Sequence, residues 1–272
     1  PLIRAIRNGM VGAGLPVEFS KGEAAPGQHE INLRYSDALS MADNHTIYKN
    51  GAKEIAHLQG KALTFMAKPT IDEPGSSCHI HSSIWSLDDD RPLCAADDDR
   101  SEMSPIFRHW LGGILAPSRE LSLCFAPFVN SYKRYQPDSW APTAVVWSPD
   151  NRTCGLRLVG QGPAMRVESR IPGADCNAYI AFAAIIAAGL DGIDRELDCG
   201  DPYMGNGYTA TDVERIPWNI VEAIDLFDSS SFARDSLGED VHFHLLHAAR
   251  EEWKAFNNVV TEWELRRNFE RI

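Results

Sequence analysis

The sequence predicts an α+β fold, and three observations predict it. Short strand-like runs come in pairs that look antiparallel. Helical stretches are inserted between those pairs, not alternated strand by strand as in a doubly wound sheet. One long helix, 177–190, is almost wholly apolar and must be covered by other elements.

Taken in chain order, Val17 to Lys21 and Glu30 to Arg34 read as strands joined by the turn Ala25-Pro26-Gly27. Ser36 is expected to cap a helix reaching Leu58, with Leu39, Ala42, Ile47 and Ile55 as its apolar face and Gly60 as its stop. Ala62 to Met66 and His79 to Trp85 read as strands. Leu87 to Met103, with two Asp-Asp-Asp runs, is expected to be a solvated acidic loop, because adjacent like charges repel without a cation. Ser104-Pro105 starts a helix, with Ser as cap and Pro in the first turn, and Pro117 kinks or ends it. Ala144 to Trp147, Gly155 to Val159 and Met165 to Ser169 read as three more strands. Asn177 to Leu190 is the buried helix. The remainder is expected to be helical and amphipathic, ending in Trp253 to Leu265.

Composition narrows the class of protein. A chain of 272 residues that is 44% hydrophobic and 24% charged is an ordinary globular balance. At this size about three quarters of the unfolded surface can be buried, so disulfides are not needed. The six cysteines form no C-x-x-C pair, which argues against a zinc ribbon or disulfide framework and fits a reduced, cytoplasmic setting. The opening PLIRAIRNGM lacks signal-peptide character, and the longest apolar run, Ala178 to Leu190, is too short to span a bilayer. A net charge of −12 disfavours nucleic acid as a partner but leaves room for an anion held by a local arginine cluster.

Three constellations carry chemistry. The first is Glu18, Glu23 and Glu30 with His29. Glu23 and Glu30 flank the Pro-Gly turn, and two carboxylates about 4 Å apart repel by about 4 kcal/mol at a protein-like dielectric, which a cation would relieve. Separate solvated carboxylates are the plainer alternative. The second is His79-Ile80-His81, whose imidazoles share a strand face, after the glycine- and serine-bearing turn at 74–77. The third is arginine-rich: Arg134, Arg152, Arg157, and the alternation Arg166, Glu168, Arg170 along one strand face with Val167 opposite. An exposed charged edge is the plain alternative here, but guanidinium forks suit phosphate and carboxylate. Carboxylates, imidazole and arginines together suggest phosphoryl transfer with Mg²⁺ or Mn²⁺. No Walker-type or kinase signature is present.

With those residues in place, the chain resembles the glutamine synthetase family. EAAPGQHEI (23–31) resembles its metal-binding motif. GKALTFMAKP (60–69) followed by GSSCHIHSS (75–83) resembles its ATP-binding signature. NSYKR (130–134) and NRTCGLR (151–157) resemble its glutamate- and phosphate-binding stretches, and RVESRIPGADCNAYIAFAAIIAAGLDGI (166–193) the segment that closes the active site. The resemblance runs in order from about Leu15 to the C-terminus. It implies a catalytic domain built on a curved antiparallel sheet flanked by helices. It implies that Glu23 and Glu30 hold one divalent metal and His79 and Glu168 a second. It implies Arg134 and Arg170 on the carboxylates of glutamate, and Arg152, Arg157 and Arg166 on the ATP phosphates. It also puts His81 and Ser83 in the nucleotide pocket, Tyr35 near the adenine and Gly75 in the glutamate loop. Among these, Arg152, Arg170 and Glu23 are the catalytic candidates.

The implied reaction activates the side-chain carboxylate of glutamate as an acyl phosphate, which ammonia or an amine then attacks. Three departures qualify the resemblance. Trp140 stands where the family has an acidic residue covering the ammonium site, so an organic amine is expected as acceptor, as in γ-glutamyl-amine ligases, with ammonia the alternative. Pro74 replaces an asparagine before Gly75, which leaves open whether the amino acid is plain glutamate. No strand with an E-x-E motif precedes Leu15, so the chain is expected to lack the β-grasp domain and first catalytic strand, to be one ligand short at each metal, and to turn over little alone. The full-length form is expected to be a homo-oligomer. A silent relative kept for its fold, and a guanidino-kinase-like phosphotransferase, are the competing readings.

Overall fold

The computed structural model describes residues 1–271. Helix α1 (Leu2–Gly12) leads into a hairpin of β1 (Val17–Gly22) and β2 (His29–Leu33), which pair antiparallel as expected. Gly27 takes φ +75° in the connecting turn. Helix α2 (Ala38–Leu58) follows. Its cap is Asp37, not Ser36: Asp37 Oδ1 accepts from the Ser40 amide at 3.0 Å. Its buried face only partly matches the expected one. Ala42 and Ile55 turn inward as expected, joined by Ala52 and Ala56, while Leu39 and Ile47 are exposed; Ile55 packs against Gly9 of α1, where an added Cβ would lie 2.6 Å from its Cδ1.

The segment 62–66 joins no sheet, and the expected strand 79–85 shortens to β3 (Ile80–Ser82). Acidic loop 87–103 is largely exposed, as its charges require. Helix α3 (Pro105–Leu115) begins where expected, with Ser104 Oγ accepting from the Phe107 amide at 3.2 Å, and ends before Pro117. Two single-turn helices, α4 (Ser122–Phe125) and α5 (Val129–Tyr132), then lead to β4 (Ala144–Pro149), β5 (Cys154–Val159) and β6 (Arg166–Ser169).

These strands form a sheet in the order β3-β6-β5-β4. Its β3–β6 and β6–β5 pairs are antiparallel, but β5–β4 is parallel, which corrects the all-antiparallel expectation. A parallel pair ordinarily needs a crossover of about a dozen residues. Here residues 150–153 make the return. Asp150 turns the chain with φ 48°, and Asn151 Oδ1 accepts from the Thr153 amide (3.0 Å) and hydroxyl (2.7 Å). Sequence spacing suggested antiparallel pairs because it could not show that return.

Helix α6 (Ala178–Asp194) packs on α3. A Cβ on Gly113 would lie 2.1 Å from the Ala188 carbonyl oxygen, so the two backbones meet where only glycine fits. The helix is not buried all round. Tyr179, Ile186 and Leu190 are exposed, since α3 and α2 cover only part of its surface. An irregular stretch, 195–219, interrupts the expected helical remainder before α7 (Ile220–Ser229), α8 (Ser231–Leu237), α9 (Glu239–Asn257) and α10 (Glu262–Asn268). One large apolar core lies between the four-stranded sheet and α3, α6, α7 and α9. A smaller one, around Ile6, Met10, Leu15 and Ala52, seats the hairpin on α1 and α2. Among the described residues no helix is long and apolar enough to cross a membrane.

Candidate active site

The sheet register builds the centre of the site. Glu168 on β6 pairs with His81 on β3 and with Arg157 on β5, so three neighbouring strands put an imidazole, a carboxylate and a guanidinium in one row on one face. Val167 is buried on the opposite face, as the period-2 pattern requires. Glu168, itself buried, accepts from Arg157 Nη1 at 3.0 Å and from Arg170 Nη1 at 2.8 Å. His79 Nδ1 lies 3.2 Å from its Oε1 and His81 Nε2 4.0 Å. The expectation that both imidazoles point the same way therefore holds. Arg166 Nε donates to His81 Nδ1 at 3.1 Å, which places the ring proton of His81 on Nε2.

Burial, with Arg170 and Arg134 behind it, pushes His79 well below its ordinary pKa, and burial lowers His81 as well. Both are neutral imidazoles at pH 7, the form a metal binds. Arg157 is held above its ordinary value. Burial opposes this, but its hydrogen bonds to Asp150 and Glu168 outweigh the burial. Burial pushes Arg170 the other way. Arg152 is exposed and forms no ion pair among the described residues. One buried carboxylate thus faces more guanidinium charge than it neutralises, and a local anion site stands within an acidic protein.

The carboxylate pair lies on the hairpin. Glu30 sits opposite Lys21 in register, and Lys21 Nζ bridges Glu23 (2.9 Å) and Glu30 (3.4 Å). Burial, followed by a hydrogen bond from Glu23, raises Glu30. Glu23 is lowered although burial opposes it, because Glu30 and Lys21 hydrogen-bond to it. Of the two carboxyls, Glu23 therefore loses its proton more readily than Glu30. Arg152 acts on Glu23 and Lys21 on His79, so the hairpin approaches the row centred on Glu168. Gln28 fixes that approach by donating to the Gly75 carbonyl at 2.9 Å and the Ser76 hydroxyl at 3.1 Å. Its place between Gly27 and His29 gave no hint of this bond across the fold. Glu18 does not join the pair. It lines a separate cavity of about 550 Å³ with Pro16, Val17, Arg34 and Tyr35.

Fit to a divalent cation can be judged from the donors. His79 Nδ1 and Glu168 Oε1, 3.2 Å apart, have the spacing that a cation with bonds of about 2.1 Å spans at right angles. Glu23 and Glu30 already converge on one positive charge, the Lys21 ammonium. Each pair gives two donors, and no group of three or more His, Cys, Asp or Glu side chains gathers as a metal cage among the described residues. The residues fit two partly built sites whose remaining ligands come from other groups. Because Glu30 is raised, protons compete with metal there. Mn²⁺ affinity is expected to rise with pH from the ordinary glutamate range upward, with proton release on binding, as calorimetry in buffers of different ionisation enthalpy would measure.

Other expected residues are placed unevenly. Tyr35 stacks on Trp85 with ring centres 6.1 Å apart, and Trp85 Nε1 donates to Ser83 Oγ at 3.0 Å. This makes an open aromatic shelf beside His81. Trp85 was missed because it seemed only the end of a strand. Arg134 is not in the open cleft: it is buried and donates to the backbone carbonyls of Arg170 and Ile171. Its Nε has no partner. The rest of that motif is similarly committed. Asn130 makes paired bonds to the backbone of Lys68 (2.9 and 3.0 Å), and Ser131 Oγ donates to Asp175 at 2.7 Å. Gly75 lies against Arg134, and a Cβ there would stand 2.5 Å from the Ala67 carbonyl and 2.8 Å from Arg134 Cγ. Gly75→Ala is expected to cost about 2 kcal/mol in a denaturant-unfolding measurement, as overpacking does.

Arg170 ties these parts together. Besides Glu168, it donates from Nε to the Arg152 carbonyl (3.1 Å) and from Nη2 to the Trp140 carbonyl (3.4 Å). Trp140 itself is 60% exposed, with its ring available to a ligand.

Comparisons with known proteins identify the family. Residues 1–268 match the family model described as "Glutamine synthetase, catalytic domain". The chain is 50% identical over 272 residues to the gamma-glutamylethanolamide synthetase of Streptomyces coelicolor, covering all of this chain and 58% of that protein. It is 39% identical to the glutamate–isopropylamine ligase of a Pseudomonas species, covering 98% of this chain and 59% of that one. Among solved structures, a GmaS complex with ADP superposes with a TM-score of 0.91 at 31% identity, covering 99% of this chain and 63% of that chain. The chain spans less than two thirds of the length of these relatives. Matched along nearly its whole length, it belongs to the glutamine synthetase family.

Proposed function

We propose that the protein joins an organic amine to the γ-carboxyl group of glutamate, with ATP as phosphoryl donor and a γ-glutamyl phosphate as intermediate. Two relatives are named for amides of ethanolamine and isopropylamine, which supports an organic acceptor. The observation that carries the acceptor choice is Trp140. Trp140 is 60% exposed, its backbone carbonyl is tied to the Arg170–Glu168 pair, and it stands at the position where a carboxylate would be needed to pair with ammonium.

The roles of the residues follow from their placement. A carboxylate resists attack because it is negative and has no good leaving group; phosphorylation supplies one. Arg157 and Arg166, oriented by Glu168 and His81, offer guanidinium forks to phosphate. Arg152, exposed next to Glu23, adds a third cation able to follow the transferring group. Arg170 is held by Glu168 and bonded to the Trp140 turn, a position that supports its role in binding a glutamate carboxylate. Arg134 acts from below by fixing the 170–171 backbone, so its part in glutamate binding runs through Arg170. Tyr35, Trp85, Ser83 and His81 form the nucleotide shelf. Glu23 with Glu30, and His79 with Glu168, would hold Mg²⁺ or Mn²⁺, which supplies charge neutralisation on the phosphates.

Phosphate release measured with ammonium, ethanolamine, isopropylamine and longer amines tests the acceptor. Turnover is expected to be best with an alkylamine, and best turnover with ammonium would replace this reading by glutamine synthesis.

A further inference from the structure

We propose that Asp150 is a positioning residue for phosphoryl transfer: it and Glu168 hold Arg157 from two sides and leave one fork of its guanidinium for phosphate. The proposal rests on the phosphate role given to Arg157 above.

A guanidinium carries five N–H donors. In Arg157 three are taken. Nε donates to Asp150 Oδ1 at 3.0 Å, Nη2 donates to the same oxygen, and Nη1 donates to Glu168 Oε2 at 3.0 Å. Among the described residues this leaves one N–H on each terminal nitrogen, the pair that a phosphate accepts side by side. Glu168 alone would not fix that pair. A guanidinium tied at one nitrogen pivots about the contact, and Glu168 is shared, since Arg170 Nη1 donates to its other oxygen at 2.8 Å. Asp150 grips a second edge of Arg157 and stops the pivot. It also brings a second carboxylate to two guanidiniums that repel each other.

Asp150 is itself fixed by the fold. It opens the 150–153 return between the parallel strands β4 and β5, with φ 48°. Its amide donates to the carbonyl of Leu158, the neighbour of Arg157 on β5, at 3.0 Å. Beyond it, Asn151 Nδ2 donates to the Gly205 carbonyl and the Gly207 amide donates to Thr153 Oγ1, both at 2.8 Å. The return is thus bolted down on both sides. The Asp150 side chain is 82% exposed, and so open an ion pair adds little to stability. Its effect is on the direction of Arg157. The hydrogen bond from Arg157 holds the Asp150 carboxyl below its ordinary pKa, so it is ionised at pH 7.

Steady-state phosphate release by the full-length protein tests the proposal. Asp150→Gly keeps the left-handed turn, which glycine adopts freely, and removes the carboxylate. Its kcat is expected to fall roughly tenfold, as a misaimed phosphate ligand would cause, with the KM values for glutamate and amine and the unfolding midpoint unchanged. The KM for ATP is not expected to rise, since a negative charge has left the neighbourhood of the triphosphate. Asp150→Asn tolerates the same backbone and keeps an accepting oxygen, so it is expected to stay within about threefold of the unaltered kcat. The loss in Asp150→Gly is expected to be the same with ammonium as with an alkylamine, because Asp150 acts on the phosphate side. An unchanged kcat in Asp150→Gly would overturn the inference while leaving the ligase reading intact. Equal losses in the two variants would also overturn it, since the accepting oxygen would then be irrelevant, and so would a loss that tracks a lowered unfolding midpoint. An unaltered protein that releases no phosphate with any acceptor would overturn both readings.

Discussion

Glu168→Ala is expected to abolish measurable phosphoryl transfer and to destabilise the fold by about 3 to 5 kcal/mol, the cost of leaving buried charges unpaired. Both effects have one cause. The Glu168 carboxylate is 3% exposed and takes hydrogen bonds from Arg157 and Arg170, with His79 against the same oxygen as Arg170. Without it, two guanidiniums repel across the floor of the cleft, and Arg170 loses the partner that aims it at the Trp140 turn. Glu168→Gln separates the two effects. It keeps the volume and one acceptor, so unfolding should shift less, while turnover should still fall on the order of 10² to 10³-fold because the charge that orients the cations is gone. Denaturant unfolding and phosphate release on both variants measure this. A Glu168→Gln variant as active as the unaltered protein would remove Glu168 from the machinery.

Trp140→Asp is expected to shift acceptor preference from an alkylamine toward ammonium by about 100-fold in the ratio of kcat/KM values, close to 2.7 kcal/mol of differential binding. The ring offers apolar and cation–π surface that an alkylamine uses and ammonium does not. Aspartate tolerates the left-handed backbone at this position better than most residues, and it adds a carboxylate where ammonium needs a partner. Competition between ammonium and the best amine, with both products quantified, measures the ratio. An unchanged ratio would show that the acceptor is chosen elsewhere.

Much of this site was legible in the amino-acid order. The alternation at 166–170 put Arg166, Glu168 and Arg170 on one face of their strand, and the spacing of His79 and His81 put both imidazoles on one face of theirs. The register then set the two rows side by side on one sheet face at Glu168. The hairpin carboxylates Glu23 and Glu30 also met as their turn suggested. What the order hid were contacts between segments far apart in the chain. Gln28 reaches Gly75, Tyr35 stacks on Trp85, and Arg170 reaches the Trp140 carbonyl. None of these has a local period to reveal it.

The same division holds for the fold. Sequence alone determined the α+β class, the capped start of α3, the apolar helix that became α6 and the types of charge available to the site. These depend on periodicity and capping, which act within one or two turns of chain. Only the tertiary structure decided that β4 and β5 run parallel, that Ala52 and Ala56 rather than Leu39 and Ile47 line α2, and that Arg134 faces backbone carbonyls instead of the open cleft. Strand direction, helix crossing distance and the partner of a buried cation are set by which distant surfaces pack together, and no local pattern carries that information.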